Sequence, residues 1–201
     1  MKILSLKLSR RSVNVFNCET DSGEYQLHSD ILVKNGIKIG EIDDDLFYTS
    51  VEESGVLIGY NLVLKYVGAN IKTEKQIKDY LYRKDFHSEA VNKIIEKLKE
   101  YKIIDDKLYA DMYVRSNPNF SKNKLKQKLF SNGIKSDLVD ESIVDVDDSE
   151  SAMKHAVKFL KNKALTKENI DKMIRRLTYL GYNWDVIKNV LNRLKCDVEE
   201  I

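Results

Sequence analysis

The chain has 201 residues, of which 42% are apolar and 33% are charged, so it is long and apolar enough to build a core in one or two domains. Its formal net charge of +2 at pH 7 differs from the strongly basic balance of a dedicated nucleic-acid-binding protein, so contact with a polyanion would use local patches. Two cysteines are too few for a disulfide framework, and we find neither a secretory signal nor an apolar run that could cross a membrane. We therefore expect a cytoplasmic protein that does not contact membranes.

Residues 1–52 are predicted to form a small β-rich accessory segment. Leucines alternate with other residues from Leu4 to Leu8, and shorter alternating runs follow around Val15 and Leu27. This two-residue period is typical of β-strands. Carboxylates favour the N-terminal pole of a helix, so we expect a helix to begin at Asp43–Asp45. A sheet this small needs a neighbour to pack against, and we interpret the segment as a cap on a helical body.

From about residue 53 the chain repeats itself with a period of 48 residues. Leu81 falls on Leu129 and Leu177 when the sequence is shifted by one and two periods, and the apolar positions around it repeat as well. Repeats of this kind are typical of arrays built from small helical units. The sequence therefore predicts a mainly α protein with three tandem three-helix repeats in an elongated array. The predicted repeats are residues 53–104, 105–146 and 147–201.

The ends of the predicted helices carry recognisable signals. Asp85, Gly133 and Gly181 share the position after the second helix of each repeat, where a left-handed residue often ends a helix. Aspartate tolerates that conformation less well than glycine but better than most residues. Thr73 and Gln76 have the spacing of a capping box. Further predicted N-caps are Ser29, Ser88, Asp105, Ser121, Ser136 and Thr166.

We identify no catalytic constellation and predict a protein that is not an enzyme and uses no cofactor or metal ion. The three histidines lack a cysteine or a second histidine at the spacing of metal ligands. Asp145–Glu150 resembles the start of a calcium loop, but Glu150 and Ala156 stand where such a loop needs glycine and glutamate. We interpret this segment as an acidic linker and N-cap.

Basic residues follow one flank of the second helix in two successive repeats. Lys124 and Lys128 lie beside the apolar stripe, and the 48-residue shift places Lys172 and Arg176 at the equivalent positions. Such a track could meet phosphates or an acidic groove of a protein. An ordinary solvated helix face has the same pattern. Further candidate contacts are Arg83, Lys84 and Arg115.

Three stretches of the chain resemble the RecX family of regulators of the RecA recombinase. The first is residues 64–86. The second, Ile104–Arg115, is similar to the family's signature of a hydrophobic residue, two aspartates, an aromatic-Ala pair and an aromatic-Val-Arg end. The third is Leu125–Ile134, repeated around Leu177–Tyr182. The sequence departs from the family at Asp85, where glycine is usual, and before the second helix of the middle repeat, where a frequent glycine is absent.

The resemblance implies a non-catalytic protein that acts in DNA repair, recombination and the SOS response. It implies binding in the groove of the RecA filament on single-stranded DNA and inhibition of ATP hydrolysis and strand exchange. Contact with single-stranded DNA would be weak or made through the filament, and we expect a monomer. Asp105, Asp106, Gly133 and Gly181 occupy signature positions that we interpret as structural. Direct contact of the two aspartates with the partner is the alternative.

Two other functions are compatible with three-helix units. A helix-turn-helix regulator would read the major groove with its third helix, but the candidate helix Asp137–Ile143 is acidic. A helical-repeat scaffold for an unrelated protein is the other possibility. Sequence-specific duplex binding would favour the first, and a different dominant partner in a pull-down would favour the second.

Overall fold

The structure is a computed structural model, and it describes residues 1–10, 12–68, 70–161 and 163–199. The chain divides into two compact units, the first from Met1 to Asp105 and the second beginning at Asp106. The described part contains ten helices and four strands. The predicted fold class, mainly α with a small N-terminal β-rich segment, is therefore confirmed.

The elements are named in chain order. The first unit contains β1 (Lys2–Leu8), β2 (Val15–Thr20), β3 (Gly23–His28), α1 (Ser29–Lys34), β4 (Gly40–Glu41), α2 (Asp44–Val67), α3 (Glu74–Tyr82) and α4 (Ser88–Glu100). The second unit contains α5 (Asp106–Ser116), α6 (Lys122–Ser131), α7 (Ser136–Ser142), α8 (Asp148–Leu160), α9 (Lys167–Tyr179) and α10 (Trp184–Glu199).

The four strands form an antiparallel sheet in the order β3-β2-β1-β4, which confirms the strands predicted from the two-residue period. The register of β1 shifts between Ile3 and Ser5. Ile3 is fully buried, whereas Leu4 is 49% exposed. The inner face of the sheet packs against Phe47 of α2. Burial raises the pKa of the Cys18 thiol, which keeps this cysteine in its unreactive protonated form.

Helix α2 connects the sheet to the first helical core. The Asp43 carboxylate accepts a hydrogen bond from the Leu46 N–H (3.0 Å), so the predicted helix start is confirmed. The helix continues for 24 residues, with Phe47 in the core of the sheet and Val63 in the core formed with α3 and α4. The predicted boundary between residues 52 and 53 lies within it. The division into an accessory segment and a first repeat stays a prediction.

Helices α2 and α4 approach each other closely at Gly59. A Cβ atom there would lie 2.5 Å from Cδ1 of Ile94 and 2.8 Å from Cε1 of Phe86. Side chains do not adopt such distances, so the packing of this core depends on glycine at position 59. Gly55, one turn earlier in the same helix, has nothing within 4 Å of its Cβ position.

The buried positions of the helical region follow the 48-residue period. Leu81, Leu129 and Leu177 are each fully buried, and each belongs to a separate apolar cluster. Two further sets of equivalent residues have an exposed fraction of 0 or 1%. They are Ile77, Leu125 and Met173, and Val91, Val139 and Ile187. Helices this short are marginal alone, so these clusters supply most of their stability.

The turn after the second helix of each repeat has the same conformation. The residues Asp85, Gly133 and Gly181 have φ angles of 62°, 86° and 89°, so the predicted left-handed residue is confirmed in all three repeats. The residue that follows donates its N–H to the carbonyl five positions earlier, as in a Schellman motif. The three bonds are Phe86 to Leu81 (3.2 Å), Ile134 to Leu129 (3.1 Å) and Tyr182 to Leu177 (3.1 Å).

The predicted N-caps are partly confirmed. Thr73 and Gln76 form the capping box, and Ser121 and Thr166 accept hydrogen bonds from the first turns of α6 and α9. Three predicted caps are wrong by one position, because the backbone is already helical there and the preceding residue is the cap. They are Ser29, Ser88 and Ser136, preceded by His28, His87 and Lys135.

Candidate interaction surfaces

Helix α6 carries the first half of the predicted basic track. Lys124 is half-buried, and its Nζ lies 4.0 Å from the centroid of the Phe120 ring, a distance that permits a cation–π contact. Lys128 is exposed in the last turn of the helix. Lys126, on the other flank, pairs with Asp140 of α7 (2.7 Å). The track face of α6 therefore presents Lys128 to solvent and holds Lys124 against an aromatic ring.

Helix α9 carries the second half. The Lys172 Nζ lies 2.6 Å from Oε1 of Glu168, and this ammonium lowers the pKa of the Glu168 carboxyl. Lys172 therefore forms an exposed ion pair with its neighbour. Arg176 is exposed, with its guanidinium 6.0 Å from the centroid of the Phe159 ring. Lys163 lies 3.8 Å from the same centroid. Sequence reasoning missed Lys163, because this residue follows α8 and lies outside the 48-residue pattern of the track.

The other basic candidates lie at helix ends. Arg83 follows α3, and its Nε donates to the Asp79 carbonyl (3.1 Å). Lys84 and Arg115 are exposed. The arrangement of Lys124, Lys128, Lys172 and Arg176 in one continuous track stays a prediction.

The signature residues occupy positions that shape the backbone. Asp106 is the first residue of α5, so Asp105 stands directly before the helix, where a cap is predicted. Gly133 and Gly181 have the positive φ angles that end α6 and α9. A structural role accounts for the two glycines, and partner contact by the two aspartates stays an alternative prediction.

Within the second unit, a polar junction joins the second and third repeats. At the N-terminus of α6 the Ser121 hydroxyl donates to the Leu180 carbonyl (2.7 Å), and Asn123 Nδ2 donates to the Gly181 carbonyl (3.0 Å). Ser121 is only 1% exposed. A Cβ atom on Gly181 would lie 2.8 Å from the Ser121 Oγ. The turn that ends α9 is thus fitted to the N-terminus of α6.

Buried polar groups of α8 support this junction. The Asp148 carboxylate accepts a hydrogen bond from the Lys122 N–H (2.7 Å). Burial raises the pKa of Asp148, and the Lys122 N–H opposes that rise. The Tyr182 hydroxyl donates to Oγ of Ser151 (3.0 Å), and burial raises its pKa as well. The Asp148 bond joins the two repeats, and the Tyr182 bond lies within the third repeat. Sequence reasoning missed them because partners such as Ser121 and Leu180 are 59 positions apart.

The ring nitrogens of two histidines make local contacts. His28 Nδ1 accepts from the Asp30 N–H (3.3 Å), and His155 Nε2 lies 3.0 Å from the Asn119 carbonyl. Among the residues that the structure describes, no three His, Cys, Asp or Glu side chains gather as a metal site. No helix in the described ranges is long and apolar enough to span a bilayer.

Three-helix repeats, a small N-terminal sheet and matching turns define a class of tandem three-helix-domain proteins, and comparison with known proteins supports this class. Residues 60–98 match the family model described as "RecX, first three-helix domain". Two solved structures share the fold. A crystal structure of regulatory protein RecX has a TM-score of 0.72 at 22% identity, covering 95% of this chain and 98% of that one. RecX from Lactobacillus salivarius has a TM-score of 0.65 at 24% identity, covering 71% and 97%.

Sequence comparison identifies the family. Regulatory protein RecX of Clostridium botulinum is 30% identical over 94% of each chain. Regulatory protein RecX of Clostridium perfringens is 30% identical over 96% of each chain. The chain belongs to the RecX family of regulatory proteins, and the resemblance noted from the sequence is confirmed.

Proposed function

We propose that this protein binds RecA filaments on single-stranded DNA and inhibits ATP hydrolysis and strand exchange, without catalysing a reaction itself. The observation that carries the proposal is the similarity to regulatory protein RecX over 94% of both chains. RecA filaments form in the cytoplasm, so the proposal places the protein there too. DNA is contacted weakly or through the filament.

The chemistry of the candidate surface supports this proposal. A nucleoprotein filament is a polyanion flanked by protein, so a regulator needs cations at its surface without an excess of charge over the whole chain. Exposed Lys128 and Arg176 meet that need, while the net charge of the chain is only +2. A regulator of this kind alters filament activity by binding one filament state more tightly than another.

Co-sedimentation tests the binding directly. Filaments of RecA from the same organism, assembled on single-stranded DNA with a nonhydrolysable nucleotide, are expected to carry the protein into the pellet in a saturable manner. Single-stranded DNA without RecA is expected to retain much less. Binding to free DNA that equals binding to the filament would contradict the proposal, as would sequence-specific binding to duplex DNA.

Charge reversal tests the basic track. The double variant Lys128→Glu/Arg176→Glu is expected to lose roughly tenfold in filament affinity at low salt, because two exposed contacts become repulsive. The loss is expected to shrink as salt increases, since exposed charges are screened.

A matched control separates a local track from general electrostatics. The double variant Lys135→Glu/Arg175→Glu changes the net charge by the same amount, at an exposed residue before α7 and at another face of α9. It is expected to change affinity much less. Equal losses of filament affinity in both variants would contradict a role of the track in binding. Circular dichroism verifies that each variant retains its helix content.

A further inference from the structure

The junction between the second and third repeats has an unfilled counterpart in the first repeat. Shifting the sequence back by two periods of 48 residues carries Asp148 onto Glu52 and Ser151 onto Gly55. The same shift carries the turn Leu180–Asn183 onto Lys84–His87. In the third repeat these positions receive the N-terminus of α6. In the first repeat Glu52, Gly55 and residues 85–87 line an open cleft, and Lys84 directly precedes them.

This cleft encloses about 490 Å³ between α2 and the start of α4. Its apolar side chains include Val51 and Val56 from α2 and Phe86 from the turn before α4. Its rim is mainly acidic, with Glu52, Asp85 and Glu89 against Lys93.

The turn beside the cleft has backbone carbonyl groups at the same positions as the turn that binds the N-terminus of α6. Asp85 and Gly181 have the same left-handed conformation, with φ angles of 62° and 89°. Gly181 and Leu180 use their carbonyls to bind Asn123 and Ser121. Lys84 and Asp85 carry the equivalent carbonyls, and both residues are exposed.

Gly55 at the floor of the cleft has no internal explanation. Its φ is not positive, and nothing lies within 4 Å of its Cβ position. A glycine inside a helix is unfavourable relative to alanine. Gly59, by contrast, is required by Ile94 and Phe86. Gly55 is therefore unfavourable for the helix and is not required by the packing around it.

The chain also contains a second helix N-terminus whose capping residue has a hydroxyl, as Ser121 does. Ser121, the cap of the filled junction, is followed by Lys122; Thr166, the cap of α9, is followed by Lys167. Both hydroxyls accept a bond from the first turn of their helix, and each keeps a proton to donate. Ser121 is buried by the turn it binds, whereas Thr166 is exposed.

The charges of the two surfaces are complementary. Lys167 is the first residue of α9, and Lys161 and Lys163 follow the end of α8. They would face Glu52, Asp85 and Glu89 at the cleft. Opposite charges such as these steer association and fix its register. Glu168 stands at the position of Asn123, and because its carboxylate is paired with Lys172 and cannot donate, it makes no counterpart of the Asn123 bond.

We propose that the cleft of the first repeat binds the N-terminus of α9 from a second copy of this chain, so that copies associate head to tail; this proposal replaces the monomer expected from the sequence. The Thr166 hydroxyl donates to the Lys84 carbonyl, and the Glu52 carboxylate accepts from the Lys167 N–H, as Ser121 and Asp148 do in the filled junction. Because donor and cleft are different surfaces, the contact is heterologous and each added copy leaves one of each unfilled.

Sedimentation of the full chain over a wide concentration range tests the proposal. The average mass is expected to rise above the 23.3 kDa of one chain without a plateau at the dimer. Two variants each block one of the two surfaces. Gly55→Leu fills the cleft of the first repeat, and Lys167→Glu reverses a charge at the N-terminus of α9. Neither is expected to harm folding, because leucine favours helices more than glycine does and an acidic residue suits the first helical turn.

Each blocked variant alone is expected to stay close to the mass of one chain. An equimolar mixture is expected to reach the mass of two chains and no more, since each variant retains the surface that the other lacks. Gly55→Ala and Lys158→Glu, which leave the cleft open and the start of α9 unchanged, are controls that should associate like the parent chain. A parent chain that stays monomeric throughout, blocked variants that still associate, or a mixture that does not pair would each overturn the proposal.

Discussion

Replacement of Gly59 by alanine is expected to destabilise the first unit by about 1–3 kcal/mol, since the added methyl overpacks a filled core. The Cβ atom would meet Cδ1 of Ile94 at 2.5 Å and Cε1 of Phe86 at 2.8 Å. Both neighbours belong to the core around Leu81, so neither can move without disturbing α4. Urea denaturation followed by far-ultraviolet circular dichroism measures the effect.

The same substitution one turn earlier is the control. Gly55→Ala is expected to stabilise the chain by roughly 0.5–1 kcal/mol, because alanine favours the helix and nothing lies within 4 Å of the new atom. The same Gly→Ala change at two positions of one helix is thus expected to change the free energy of unfolding in opposite directions. Equal effects at the two positions would contradict the close approach of α2 and α4.

The second large effect is expected at the turn that ends α9. In Gly181→Ala, the alanine must adopt a φ of 89°, which costs an L-residue about 1–2 kcal/mol of folding free energy. Its Cβ atom would also lie 2.8 Å from the Ser121 Oγ. We expect a loss of roughly 2–4 kcal/mol in the second unit. Trp184, at the start of α10, provides a fluorescence signal next to the changed turn.

Hydrogen exchange distinguishes damage to the junction from a general loss of stability. The Lys122 and Lys124 N–H groups bond to Asp148 and Ser121, and both are expected to exchange faster in the Gly181→Ala variant. Asp85→Gly is the matched control at the equivalent turn of the first repeat. It is expected to stabilise the chain slightly, because glycine adopts the φ of 62° more easily than aspartate. A Gly181→Ala variant with an unchanged free energy of unfolding would contradict the close contact between Gly181 and Ser121.

The helical repeats could be predicted because their signals are local and periodic. Leu81, Leu129 and Leu177 are buried for the same reason in each repeat, and the turn after each needs a left-handed residue. Aspartate at position 85 meets that need without glycine, which shows that the turn geometry follows from the hydrogen bonds of the helix end.

Contacts between distant parts of the chain could not be predicted. The fit of Ser121 to Gly181 depends on how two repeats pack, and no sequence period reveals it. The pairing of Lys172 with Glu168 has a local signal, the four-residue spacing of opposite charges, which reasoning about the track overlooked. The sequence also does not show that α2 reaches both the core of the sheet and the first helical core, because the burial of Phe47 and Val63 depends on long-range packing.

A titration of ATP hydrolysis measures the proposed regulation of RecA filaments. RecA from the same organism hydrolyses ATP on single-stranded DNA, and adding this protein is expected to lower the steady-state rate in a dose-dependent, saturable manner. The Lys128→Glu/Arg176→Glu variant is expected to need roughly tenfold more protein for the same inhibition at low salt. An unchanged rate at micromolar concentrations of folded protein would contradict the account.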